Sequence, residues 1–139
     1  MTLRVQAAPE SHYGWIAAKA DLALSPGFRA LEALDHEGAI VGMVGYDGWT
    51  KSAVSMHVAL DHPMALRRLI RPAFGIAFYE FGKEVVVANV LSTNERSLRL
   101  VQKLGFREVY RGKDWIDRGV DLVLHEMRRR ECRWLGEKN

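Results

Sequence analysis

Hydrophobic and polar residues follow two different periods along this chain, and these periods predict which segments form strands and which form helices. Residues 3–7 alternate one by one, whereas residues 94–104 place apolar side chains every three or four positions. By this reasoning, strands are predicted at 3–7, 28–34, 39–46, 52–60, 85–91, 106–111 and 119–127. Helices are predicted at 15–24, from Met64 or after a break at Pro72 to Phe81 or Gly82, and at 94–104.

The order of these elements indicates the fold class. One strand and one helix are followed by three strands, a helix, a strand, a helix and two strands. Short turns such as Asp47-Gly48 favour antiparallel hairpins, while strand–helix units favour a mixed sheet. The sequence therefore predicts an α/β (α+β) fold with a mixed, mostly antiparallel sheet.

Length and composition fit a single domain over residues 1–139. Hydrophobic residues make up 48% of the chain and charged residues 27%, and the net charge of +3 favours an anionic ligand without requiring nucleic acid. Cys132 is the only cysteine, so no internal disulfide forms and no zinc or other metal site is predicted. With no apolar segment long enough for a membrane span or a signal peptide, we expect a cytoplasmic protein with a basic tail at 128–139.

Residues 94–106 carry the most specific pattern in the chain. Asn94 suits a helix N-cap, Gly105 suits a helix stop, and Phe106 starts the next strand. Together with Ser97 and Lys103, this segment resembles the second signature of the GNAT N-acetyltransferase family. The resemblance is greatest to the branch of ribosomal-protein N-terminal acetyltransferases, and it implies a central sheet with helices on both faces.

The resemblance implies both a cofactor and a place for it. In this family two central strands, here 52–60 and 85–91, splay apart, and the pantetheine arm of acetyl-CoA pairs with the exposed backbone between them. The residues expected at acetyl-CoA are Val58, Leu60, Asn94, Ser97 and Lys103. Plain roles as core strand residues or as an N-cap stay open for Val58, Leu60 and Asn94.

The segment after the first splayed strand departs from the family pattern. The family's glycine-rich loop binds the pyrophosphate at a helix N-terminus, but the glycines are missing here and Pro72 lacks an N–H to donate. Arg67, Arg68 and Arg71 are expected to compensate through charge-assisted hydrogen bonds to phosphate. A solvated basic helix face is the alternative.

Direct transfer to an amine needs a base for the ammonium and an acid for the leaving thiolate. Val101 stands where many family members have a tyrosine that serves as general acid. Tyr110 is the candidate replacement, although a role as a surface strand residue is the favoured alternative. His57 and Glu32 are the candidate bases, because imidazole titrates near neutrality and the Glu32 strand often faces the acceptor. A structural role for His57 is the alternative.

The acceptor pocket is expected between the first helix, the first hairpin and the last two strands. Aromatic side chains there suit an apolar or planar acceptor, and a histidine on the last strand would line the same side. The residues assigned to this pocket are Tyr46, Trp49, Trp115 and His125. Roles as core anchors are the alternative for the aromatic residues.

These observations lead to one main function and two alternatives. The resemblance implies acetyl transfer from acetyl-CoA to a primary amine on a small molecule or a peptide. The basic tail leaves a nucleobase or nucleic acid open as acceptor. The altered loop and the missing tyrosine leave a non-catalytic module that binds CoA or a partner chain open, and a homodimer through an exposed strand edge is a further hypothesis.

Overall fold

A computed structural model of the chain describes residues 2–136. Its seven strands are β1 (Arg4–Ala7), β2 (Arg29–Leu34), β3 (Ile40–Asp47), β4 (Ala53–Leu60), β5 (Val85–Leu91), β6 (Arg107–Asp117) and β7 (Val120–Arg128). They form one sheet in the order β1-β2-β3-β4-β5-β7-β6. Neighbouring strands are antiparallel except for β4 and β5, which are parallel. The predicted fold class is therefore confirmed.

Three α-helices accompany the sheet: α1 (Tyr13–Ala20), α2 (Pro63–Gly75) and α3 (Glu95–Leu104). α1 ends earlier than predicted because Asp21 adopts a left-handed conformation with a φ of 50°. Pro72 lies inside α2 instead of breaking it, and the helix widens after Gly75 into a π-helical turn, Ile76–Glu80.

The helices cover the two faces of the sheet unequally. α2 and α3 share one face, over a large apolar cluster that includes Phe74, Val86, Val101 and Met127. α1 lies on the opposite face, against β3 and β4, over a smaller cluster that includes Ile16, Phe28 and Met43. On the α1 side, the part of the sheet formed by β5, β7 and β6 extends beyond this helix. Within residues 2–136, no helix is long and apolar enough to cross a membrane.

The C-terminal segment packs against the helices through its basic and aromatic side chains. The Trp134 indole N–H donates to the Leu104 carbonyl at 2.7 Å, and the Arg133 guanidinium donates to the Lys103 carbonyl. Arg71 on α2 donates to the Trp134 carbonyl at 3.2 Å. Residues 129–136 therefore satisfy the last carbonyl groups of α3 and join α2 to α3, while the rest of the predicted tail, 137–139, lies outside the described residues.

Tyr46, which we expected at the acceptor, is a core residue. Its side chain is 1% exposed, and its hydroxyl donates to the Ala73 carbonyl of α2 at 2.7 Å. Burial raises the pKa of the Tyr46 phenol well above its ordinary value, with the nearby Glu80 carboxylate adding to the effect. Tyr46 therefore joins the sheet to α2 as a neutral phenol.

A Tyr46→Phe variant should separate the hydrogen bond from the ring packing. At pH 7 we expect unfolding free energy to fall by about 1 kcal/mol, since the ring stays and one buried hydrogen bond is lost. Above pH 10, Tyr46 ionises more readily in the unfolded chain than in the folded protein, so the wild-type protein loses stability. The variant has no phenol at this position and does not show this loss. Urea denaturation at pH 7, 9 and 11 should show the difference shrinking with pH. A difference that is constant over this range would contradict the assignment.

Candidate active site

The sheet opens where β4 and β5 diverge. The two strands pair only over Ala53–Ser55 and Val85–Val87, and beyond this point a cleft of about 770 Å³ lies between them. Residues from α1 and from α3 both line it, although these helices lie on opposite faces of the sheet. The cleft therefore passes through the sheet from one face to the other. The predicted site residues that line it are His57, Val58, Leu60, Asn94 and Ser97.

Backbone groups of β4 face this cleft in alternation. The Asp61 N–H, just after β4, donates to the Val41 carbonyl of β3 at 2.8 Å. Odd-numbered residues of β4 therefore direct their backbone N–H and C=O groups towards β3. Because neighbouring residues point their backbone groups in opposite directions, those of Val58 and Leu60 face the cleft. On the other side, the Ser92 N–H donates to Asp121 of β7, which by the same alternation turns the backbone of Asn89 towards β4. The cleft thus offers two strand edges to an amide-bearing ligand.

The first turn of α3 forms the wall of the cleft on the helix face. The Asn94 side-chain oxygen accepts from the Ser97 N–H at 3.1 Å, so Asn94 is an N-cap, as its position predicts. Both residues line the cleft, as does Val101 one turn further on. Val101 is 7% exposed, so the cleft wall is apolar at the position where this sequence has valine in place of the family's tyrosine.

A histidine–carboxylate pair lies at the cleft on the α1 face. His57 Nε2 lies 2.7 Å from the Asp47 carboxylate, and the two side chains are 31% and 18% exposed. The register brings them together, because Asp47 pairs with Ser55 and lies diagonal to His57 on the same face of the sheet. With Asp47 accepting from Nε2–H, Nδ1 is the ring nitrogen that remains to accept a proton.

A glycine opposite His57 leaves room on this face for an aromatic ring. Gly45 pairs with His57, and a Cβ at Gly45 would lie 2.3 Å from the Phe28 ring. Any larger residue would push Phe28 away from the sheet. Extending the β4–β5 register beyond Ser55 and Val87 places Asn89 across the cleft from His57.

The N-terminus of α2 is less open to an anion than the family's glycine-rich loop would be. Pro63 at the first helical position has no N–H, and the His62 ring accepts from the Met64 N–H at 3.1 Å. The Ala65 N–H donates to the His62 carbonyl at 3.0 Å. Because these first-turn groups are absent or engaged, backbone N–H groups here fit a pyrophosphate poorly.

Arginine side chains surround this end of the helix layer. Arg67 and Arg68 are exposed on α2, and Arg96, which we did not predict, lines the cleft from α3. Arg71 is held by the C-terminal segment, with its guanidinium 5.7 Å from the centre of the Trp134 ring. Arg67, Arg68 and Arg96 are therefore better placed than Arg71 to meet phosphate groups.

The other candidate catalytic residues lie away from the cleft. Glu32 is fully buried on β2, two strands from β4, and its carboxylate oxygens are bonded to Gln6 at 2.8 Å and His12 at 2.7 Å. Tyr110 lies on the edge strand β6, separated from β5 by β7, and is 57% exposed. Neither residue contacts the space between β4 and β5.

Most of the other assigned residues also lie outside the cleft. The Trp49 indole N–H donates to the Gly27 carbonyl at 3.0 Å, and its ring packs on Phe81. His125 is 2% exposed on the face covered by the helices, with Nδ1 3.3 Å from the Ala88 carbonyl, so it is closed to an acceptor. Lys103 lies in the last turn of α3, at the opposite end from Asn94. Trp115 is 58% exposed on β6.

Several residues of the cleft escaped the sequence reasoning. The polar Asn89 within the apolar run 85–91 was a visible signal, because a buried strand rarely carries an amide without a use. Asp47 gave no such signal, since only the β3–β4 register brings it to His57. Lys19 and Asp61 form an ion pair of 2.7 Å that joins α1 to the end of β4 at the cleft wall. In residues 2–136, no group of three or more His, Cys, Asp or Glu side chains is placed to hold a metal ion.

Known proteins share the fold of this chain but little of its sequence. No family profile matches the chain, and no curated protein matches it. A mutant spermidine/spermine N-acetyltransferase from Vibrio cholerae superposes with a TM-score of 0.76 over 93% of this chain and 96% of that chain, at 12% identity. The structure of that enzyme type from the same organism with CoA and spermine gives 0.74 over 93% and 96%, at 13% identity.

A third solved structure extends the likeness to a different N-acetyltransferase. A putative phosphinothricin N-acetyltransferase superposes with a TM-score of 0.72 over 98% of this chain and 100% of that chain, at 15% identity. At such low identity these superpositions establish a common fold, which is the fold that the motif at 94–106 led us to expect.

Proposed function

We propose that this chain transfers an acetyl group from acetyl-CoA directly to a primary amine. The observation that carries the proposal is the cleft between β4 and β5, which crosses the sheet from the α3 wall to the His57–Asp47 pair. Such a passage allows a donor to enter from one face and an acceptor from the other. The solved N-acetyltransferases with the same fold, one of them with CoA and spermine, support the same reaction class.

The cleft fits one part of acetyl-CoA better than another. The backbone edges of Val58, Leu60 and Asn89 suit the two amides of a pantetheine arm, and Asn94 and Ser97 lie beside them. The phosphates would rely on arginine side chains, with Arg67, Arg68 and Arg96 as our candidates, because the first turn of α2 is closed. When bound, acetyl-CoA would supply the thioester carbonyl that the amine attacks.

His57 is our candidate general base. An amine at neutral pH is protonated and attacks only after losing a proton, and His57 Nδ1 can accept that proton at the cleft. The Asp47 carboxylate holds the ring by its Nε2–H and stabilises the imidazolium that forms. Glu32 and Tyr110 have no part in this proposal because neither reaches the cleft, and we assign no side chain as general acid.

The single cysteine offers no competing covalent route. Burial raises the pKa of the Cys132 thiol, which disfavours the nucleophilic thiolate. Cys132 also packs with the C-terminal segment at the helix layer rather than at the cleft. Direct attack by the amine is therefore the simplest route.

Three finer statements complete the proposal. We keep the ribosomal-protein N-terminal acetyltransferase branch as our prediction for the nearest relatives, on the sequence pattern at 94–106. We expect the cytoplasm as the compartment, since the one thiol is free. Self-association is also proposed, since one similar N-acetyltransferase from Vibrio cholerae has a dodecameric structure.

One alternative function is supported by a specific observation. The apolar Val101, which leaves no hydroxyl to protonate the leaving thiolate at this position, favours a module that binds CoA without turnover. Nucleic acid has less support, because Arg128, Arg129 and Arg133 of the basic segment are engaged by Glu126, Glu84 and the Lys103 carbonyl.

The test combines binding with turnover. We expect acetyl-CoA to raise the thermal midpoint in a concentration-dependent manner, whereas adenine-free anions such as pyrophosphate should not. In a thiol-release assay, addition of a primary amine should increase CoA formation above background hydrolysis. A thermal shift without amine-dependent CoA release would favour the non-catalytic module, and no shift at millimolar acetyl-CoA would refute both.

An Asn94→Ser variant should distinguish cofactor binding from helix capping. Serine caps helices about as well as asparagine, so we expect the unfolding free energy to change by less than about 0.5 kcal/mol. The shorter side chain cannot offer an amide to pantetheine, so the Kd for acetyl-CoA should rise about fivefold to tenfold, the loss of one hydrogen bond. Isothermal titration and urea denaturation measure the two quantities. An unchanged Kd would assign Asn94 to capping alone.

A further inference from the structure

An apolar floor lies beside the cleft on the α1 side of the sheet. Cross-strand partners share a face, and the register aligns Asn89 with Leu124 and Tyr110 in one row, and Leu91 with Leu122 in the next. Leu91 and Tyr110 are 38% and 57% exposed. We call the surface formed by Leu91, Leu122, Leu124, Tyr110 and Trp115 the open face. It begins at Asn89, which lines the same cleft as His57.

Two aromatic rings form the far end of the open face. The Tyr110 and Trp115 ring centres are 5.6 Å apart. Trp115 lies against Gly112, where a Cβ would be 2.1 Å from the indole, so the ring needs a glycine beneath it. From Asn89 to Tyr110 the face spans two interstrand spacings, roughly 10 Å, which matches the length of one ring with a short chain.

Most carboxylates around the cleft and the open face form ion pairs with basic side chains of the same chain. Asp47 is bonded to His57 and Asp61 to Lys19, each at 2.7 Å. On the open face, Glu126 is held by Arg107 at 2.6 Å and Arg128 at 3.0 Å, and these bonds lower its pKa. Of the carboxylates that line the cleft within residues 2–136, Asp21 alone makes no ion pair.

We infer that the acceptor is a primary monoamine with an apolar body about the size of an aromatic ring, and that this body lies on the open face. The inference rests on the proposed acetyl transfer. A polyamine needs a carboxylate for each additional ammonium, and the cleft lining offers one carboxylate without an ion pair, Asp21, which suits a single reacting ammonium. An apolar body gains from covering Leu122, Leu124 and the two rings, while its amine reaches His57 and Asn89.

The experiment compares three amines with the full-length protein and acetyl-CoA. We expect kcat/KM for 2-phenylethylamine to exceed that for ethanolamine and for spermidine by about 10- to 100-fold. A Leu124→Glu variant should lower kcat/KM for 2-phenylethylamine by more than about tenfold, because it places a charge on the floor. The matched control is Leu24→Glu, at an exposed leucine in the loop after α1, which should leave kcat/KM unchanged.

Binding and mass measurements separate this inference from the proposed function. If 2-phenylethylamine binds the CoA-saturated protein in isothermal titration, and Leu124→Glu abolishes that binding without any turnover, the acceptor class stands and acetyl transfer fails. If spermidine is the preferred acceptor, acetyl transfer stands and the acceptor class is overturned. If 2-phenylethylamine neither binds nor reacts, the acceptor class is also overturned. Conversion of a dimer to a monomer by Leu124→Glu with unchanged kcat/KM, seen by light scattering, would make the open face an interface between copies and overturn it too.

Discussion

Replacing His57 with alanine is expected to lower kcat by about 10²- to 10⁴-fold, the usual contribution of a positioned general base. The loss follows because the acceptor ammonium would then give its proton to water alone. The acetyl-CoA-dependent thermal shift should be retained, since the side chain of His57 lies on the α1 face and the cofactor contacts we propose are with backbone groups and α3. Steady-state kinetics with a reactive amine and thermal denaturation measure the two effects.

Asp47→Asn tests whether the carboxylate orients the ring. An asparagine amide can donate to Nε2, which would place the imidazole proton on Nδ1 and remove the acceptor that faces the cleft. We expect kcat to fall about tenfold or more, with KM little changed.

Added imidazole should partly restore the activity of the His57→Ala variant, because the space vacated by the ring lies beside Asp47. Full activity in His57→Ala would refute the assignment of His57 as base.

A pair of proline variants at adjacent residues should give opposite results. Val58→Pro removes an N–H that faces the cleft, so the β3–β4 ladder stays intact, as at a sheet edge. We expect the Kd for acetyl-CoA to rise at least about tenfold, while the unfolding free energy changes by less than about 1 kcal/mol. Isothermal titration and urea denaturation report the two quantities.

Ala59→Pro is the matched control because the alternation directs its N–H towards β3. This variant loses a buried ladder hydrogen bond and leaves a β3 carbonyl unpaired, at a side chain only 8% exposed. We expect a loss of about 2 to 3 kcal/mol of unfolding free energy. If Val58→Pro were as destabilising as Ala59→Pro with no specific effect on Kd, the backbone of Val58 would belong to the sheet rather than to the cofactor site.

Local patterns were enough to locate most of the elements. Alternation, apolar runs and turn residues identified the strands of the sheet, and capping chemistry placed α3 between Asn94 and Gly105 because both ends depend on single residues. The ends of α1 and β6 were predicted wrongly, because they depend on backbone conformation and strand pairing rather than on a single capping residue. Asp21 stops α1 through a left-handed backbone, and β6 extends to Asp117 because its partner β7 continues beside it.

Burial and side-chain direction on the sheet depended on the tertiary structure. Tyr46, Trp49 and His125 carry the right chemistry for a pocket, yet register and helix placement turn Tyr46 and His125 into the core beneath the helices and tie Trp49 to Gly27 and Phe81. A shift of one residue in register would have reversed which side chains face the helices. Such information is a property of strand pairing between distant segments, so no local window contains it.

The sequence alone therefore determined the order of strands and helices and the motif at 94–106, because periodicity, capping and turn chemistry act between residues close in the chain. Only the tertiary structure decided where β4 and β5 separate, that Asp47 meets His57, and that the open face adjoins the cleft. These features arise from contacts between segments far apart in sequence, where the pairing of whole strands determines which side chains meet.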